Sequence, residues 1–163
     1  MTTHFNNKTF KEALSSLSIP QQRQVAARFI EKVLDLADER CLNNIVKLFS
    51  RQDVSAEDLE AAHRRAHSIY VETHPHSDLT ELNFIQQGKH FVAEACMTCV
   101  APVYEEAKVC HLAQKVAMYC RMARLYANMD HEEESPDFSR AEALTKRSIE
   151  EQYAVLRAFL DNG

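Results

Sequence analysis

His63 and His67 stand four residues apart, so on a helix their imidazoles share one face and can reach a single metal ion. Glu60 precedes His63 by three, which gives the Glu-x-x-His pattern that di-iron helical bundles use in duplicate. Only one copy is present, because Gln87 occupies the place where a glutamate would precede His90. His90, Glu94 or His111 would have to complete such a site, with zinc or iron as the metal. The competing reading leaves His63 and His67 as polar residues at the edge of a packed face, in contact with water.

Cys96-Met-Thr-Cys99 has the spacing of a redox or zinc pair. It sits in the middle of an apolar helical stripe, whereas a reactive pair needs its first thiol at a helix N-terminus, where the dipole lowers the thiol pKa. Small buried core thiols fit the position better. Ser68, Thr98 and Ser148 have no partner spacing that marks a nucleophile, so no hydrolase triad is expected. Gly88 inside a helix costs on the order of 1 kcal/mol against alanine. Close approach of a second helix explains it, and a ligand lying on bare backbone beside Lys89 is the alternative. The acidic run Asp130, Glu132, Glu133 and Glu134 reads as a solvated loop, or as a surface for a basic partner.

The elements that would position these residues are helices. With only two glycines in 163 residues, Gly88 and Gly163, the chain lacks the turn residues of a β-rich fold and any glycine-rich phosphate loop. The longest stripes define a central pair. Phe84, Ile85, Gly88, Phe91, Val92, Ala95, Cys96 and Cys99 line a helix over 82–100. Val109, Leu112, Val116, Tyr119, Ala123 and Tyr126 line a second over 103–128, joined to the first at Ala101-Pro102. Its further row of Met118, Met122, Leu125 and Met129 predicts a largely apolar circumference.

Ahead of the pair, a short helix is expected from Thr9 to Leu17, with residues 1–8 loose. A longer helix from Pro20 to about Arg40 buries Val25, Phe29, Ile30 and Val33 and leaves Arg23, Arg28 and Asp35 outside. A shorter helix spans Leu42–Phe49, and Ser55 caps another running to about Glu72. Breaks at 74–78 and 130–136 flank the pair, and Ser139-Arg-Ala-Glu142 reads as a capping box opening a last helix to about Leu160. The expected fold is all-α, a single-domain antiparallel bundle of six or seven helices with its core in residues 20–160.

A net charge of −5 disfavours nucleic-acid binding, which needs basic surface. The N-terminus carries no signal-peptide core, and no apolar run approaches the roughly 20 residues of a membrane span. Together with five cysteines, an odd number, this predicts a cytoplasmic chain with buried, reduced thiols. The expected partner is a protein, with no nucleic acid and no membrane, and self-association stays open.

Three segments carry a family resemblance: Ala61-Ala62-His63, Gly88-Lys89-His90-Phe91-Val92-Ala93, and Glu150-Glu151-Gln152-Tyr153. In order and spacing, over roughly residues 22–160, the chain resembles an all-helical group of immunity proteins from bacterial polymorphic-toxin systems. The resemblance implies a small cytosolic protein that binds and neutralises a cognate toxin; the missing catalytic set adds the expectation of a non-catalytic chain without a cofactor. The alternative is the metal-binding bundle built on His63 and His67.

Overall fold

The computed structural model describes residues 4–37, 40–49, 54–73, 84–128 and 138–162. Among them the chain is all-α, with eight α-helices, one 3-10 turn at Leu34–Leu36 and no strand. The helices are α1 (Asn7–Ser15), α2 (Ile19–Glu31), α3 (Arg40–Phe49), α4 (Ala56–Thr73), α5 (Phe84–Cys99), α6 (Glu106–Val109), α7 (Leu112–Ala127) and α8 (Phe138–Asn162). None of them is long and apolar enough to cross a membrane.

Helix α1 starts earlier than Thr9. Asn6 caps it by accepting from the Thr9 amide at 2.9 Å, and the Thr9 hydroxyl accepts from the Asn6 amide at 2.9 Å. Thr9 therefore closes a capping box from inside the helix. Phe5, in the segment expected to be loose, packs against Tyr153 with ring centroids 5.9 Å apart. Ser18 and Gln21 cap α2 in the same reciprocal way, with Pro20 in the first turn where its missing amide costs nothing.

Helix α2 stops at Glu31, well before Arg40. A guanidinium from α7 intervenes: Arg124 donates to the Lys32 carbonyl at 2.7 Å and to the two Asp35 carboxylate oxygens at 2.8 and 2.9 Å. A tertiary partner thus takes a carbonyl that a longer helix would have used internally, and the chain turns.

The centre of the fold is the α5–α7 pair, whose facing residues are small. Ala93, Ala95, Cys96, Cys99, Ala113, Ala117, Cys120 and Ala123 are all buried. Gly88, near the start of α5, lies against Ala123 and Ala127 at the end of α7, so the two helices run antiparallel. A Cβ on Gly88 would sit 3.2 Å from the Ala123 carbonyl oxygen, a tight contact that asks the α7 backbone to give by a few tenths of an ångström. Helices α4 and α5 are also antiparallel, with Thr73 and Tyr70 meeting His90. Helix α2 instead lies along α7 in the same direction: Gln22 touches Ala113 at one end and Lys32 meets Arg124 at the other. Around this centre Phe10, Phe29 and Tyr153 pack as a ring cluster, and Arg28 lies over the Phe159 ring at 5.1 Å.

The second long helix does not begin at Val103. Residues 103–105 turn, α6 contributes one turn, and His111 adopts a left-handed conformation with φ 54° before α7 starts. Two neighbouring side chains of α2 hold this crossover. Arg23, expected outside, is only 5% exposed, and its Nη1 and Nη2 donate to the carbonyls of Cys99 and Ala101 at 2.6 Å each. Gln22 accepts from the Ala113 amide at 3.2 Å, satisfying one of the free donors at the start of α7. Within α7, Met118 is 39% exposed, so the apolar circumference is only partly covered. At the last helix, Phe138 is already helical, which puts Ser139 inside α8 and out of the capping position.

Candidate functional site

Helix α4 presents His63, His67, Tyr70 and Thr73 along one face, at steps of four, three and three residues. The His63 and His67 ring centroids are 6.4 Å apart, and His67 and Tyr70 are 6.5 Å apart. Tyr70 then packs on His90 of α5 at 4.5 Å. The Thr73 hydroxyl donates to the Ile69 carbonyl at 2.8 Å and lies 3.1 Å from His90 Nδ1. The result is a row of three imidazoles and a phenol along the α4–α5 seam.

The far side of His90 leads into a second group of rings. Glu94, one turn along α5, hydrogen-bonds the Tyr119 hydroxyl of α7, and burial first, then this carboxylate, pushes the Tyr119 phenol upward in pKa. Tyr119 stacks on Phe91 at 6.5 Å, Phe91 packs on Tyr126 at 5.2 Å, and Tyr126 packs on Phe84 at 6.1 Å. His90 and Glu94 share a helix turn, and the resolved contacts send the first to Tyr70 and Thr73 and the second to Tyr119.

At the other end of the row the structure adds a residue that the spacing did not reveal. Glu105, in the turn after Pro102, lies within electrostatic reach of both His63 and His67. Its carboxylate pairs with Lys108 at 2.8 Å, and that ammonium holds it below the usual carboxylate range. His63 is half-buried, and its Nε2 is shielded from water without a hydrogen-bond partner. Burial lowers its pKa, and Glu105 opposes that shift. Nothing local in the sequence marks Glu105, since the crossover alone brings it to α4.

Other candidate residues lie apart from this row. His111 is exposed at the start of α7, 3.5 Å from Gln114, which in turn reaches Ser15 of α1. Gly88 is buried with its bare backbone covered by α7, and Lys89 beside it is half-buried. Asp130, Glu132, Glu133 and Glu134 fall outside the described residues. Among the described residues no group of three or more His, Cys, Asp or Glu side chains is arranged to hold a metal ion.

The Cys-x-x-Cys pair is sealed in the core. Burial pushes the Cys99 thiol up to about 12 and raises Cys96 and Cys120 as well, so all three are poor nucleophiles at neutral pH. Cys110, expected in the core with them, is exposed. The α4–α5 seam offers rings, imidazole nitrogens and the Thr73 hydroxyl beside His90 to a partner. Comparison with known protein families, with characterised proteins and with solved structures gives no match.

Proposed function

We propose that the chain is a non-catalytic helical protein-binding module of the cytoplasm, and that the α4–α5 seam is the surface it presents. The observation that carries this reading is the exposure of large side chains beside the ring row. Tyr104, adjacent to Glu105, is 80% exposed, and Val71, adjacent to Tyr70, is 56% exposed. Tyrosine and histidine edges flanked by apolar side chains are the composition of interface cores rather than of ordinary solvated surface. The resemblance to immunity proteins supplies the kind of partner, a cognate toxin whose active surface the module would cover. Affinity capture from native cell lysate, followed by co-expression of the captured protein in a growth assay, tests this. Protection by the parent chain and its loss in Tyr104→Asp is expected. No recoverable partner together with no protection from any co-expressed toxin overturns it.

One observation favours a second reading, that a transition metal binds His63 and His67. The shielded, unpartnered Nε2 of His63 is the atom a metal would satisfy, and Glu105 lies within electrostatic reach of both rings. Lys108 works against it by occupying that carboxylate with a positive charge. Metal analysis of protein purified without a histidine tag separates the readings. Stoichiometric zinc or iron that is lost in a His63→Ala, His67→Ala double variant would establish the second, and metal-free protein would remove it.

A further inference from the structure

We propose that the cavity beside Arg23 is a binding site for a small free carboxylic acid with an apolar tail. A cavity of about 680 Å³ opens between α2, the end of α3, the start of α4 and the turn after α5, and Arg23 forms part of its wall. That volume lies within the range of small-molecule sites. Its apolar lining comes from Ile19, Phe49, Val54, Leu59 and Val103, enough to cover a short hydrocarbon tail. Val103 is 58% exposed, so this lining continues to the surface.

The charge of the site selects the head group. Arg23 is a nearly fully buried guanidinium whose five N–H donors are matched by two carbonyls, those of Cys99 and Ala101. The one ionisable neighbour acting on it is the Cys99 thiol, which is neutral, so no described carboxylate balances the buried cation. A guanidinium held in low dielectric with donors to spare is the group that recognises a carboxylate best. The N-terminus of α4 meets the same cavity at Ser55, whose hydroxyl accepts from the Asp58 amide at 3.1 Å, and its dipole also favours an anion. Asp58 stands exposed at the rim and opposes an incoming anion, which directs the carboxylate inward to Arg23 and the tail along Leu59 and Val103.

Octanoate and its neutral amide, octanamide, are the probes, titrated into the full chain and followed by amide shifts in 15N-resolved NMR. Octanoate is expected to shift the amides of Gln24, Leu59 and Val103 saturably and to bind at least ten-fold more tightly than octanamide. Leu59→Trp, a half-buried rim position, fills the cavity and should weaken octanoate at least ten-fold. Asp58→Asn removes a screened like charge and should tighten octanoate about two-fold while leaving octanamide unchanged. Equal binding of acid and amide overturns the carboxylate assignment. Octanoate binding that is absent, or indifferent to Leu59→Trp, overturns the site.

Discussion

Replacing Arg23 by alanine tests whether one side chain of α2 holds the crossover between the two central helices. The guanidinium satisfies the carbonyls of Cys99 and Ala101, at the C-terminal end of α5, through two hydrogen bonds of 2.6 Å. Alanine leaves both carbonyls unpaired in a buried site, at about 1–3 kcal/mol each. It also strips two methylenes from the packing, worth about 0.8 kcal/mol apiece when fully buried. Against this stands the relief of a buried cation, whose pKa is lowered by desolvation, at several kcal/mol. The balance is a loss of about 2–4 kcal/mol, within a total of about 5–15 kcal/mol for a domain, so the variant should still fold. Arg23→Lys keeps the charge but has no fork to reach both carbonyls, and should lose about half as much. Urea denaturation measures both variants, and hydrogen exchange at residues 100–106 should quicken in each before the rest of the chain does. If Arg23→Ala unfolds within 0.5 kcal/mol of the parent, on the order of ordinary surface changes, the crossover does not depend on this contact.

Two further perturbations probe the α5–α7 contact and the α4 row. Gly88→Ala should gain about 1 kcal/mol of helix propensity and lose about 1–3 kcal/mol by forcing a Cβ against the Ala123 carbonyl, for a net destabilisation seen as a lower Tm. A higher Tm would mean that the helices separate freely there. His63 has its pKa lowered below the ordinary 6.5 by burial, so the unfolded chain takes up a proton first as pH falls. The parent should therefore lose stability as pH falls through 6.5, levelling off below the folded-state value. The half-exposed ring limits this to less than about 1 kcal/mol. His63→Gln should flatten the difference in stability between about pH 7.5 and pH 5. An unchanged pH profile would show that His63 is solvated as in the unfolded chain.

Where the sequence was legible, a local rule and a tertiary contact asked for the same thing. Ser55 caps α4 as its spacing from Asp58 indicated, because that bond lies entirely within one turn. The α5 stripe is buried from Val92 through Cys99, and Gly88 lies at a close helix approach, since periodicity reports a face directly. The α4–α5 seam was legible to the same extent: His63 and His67 share a face by spacing, and their neighbour Tyr70 meets His90 because the two helices are antiparallel. Glu105 was illegible because it reaches His63 through a turn whose path is set elsewhere.

That elsewhere is Gln22-Arg23. Both residues are polar, so amphipathic reasoning assigns them to solvent, yet they are 8% and 5% exposed. Consecutive helix positions differ by about 100° in direction, which lets one reach the start of α7 and the other the end of α5. A helix end must find partners for its free amides or carbonyls, and a buried end cannot use water. Here α5 ends and α7 begins inside the protein, so something must carry donors and acceptors into the core. Gln22 brings an acceptor to the Ala113 amide and Arg23 brings donors to Cys99 and Ala101. The crossover they hold is what places Val103 at the cavity and Glu105 at the histidines. The polar pair on α2 thus governs both candidate sites without belonging to the row of rings, and a change at Arg23 should disturb the two together.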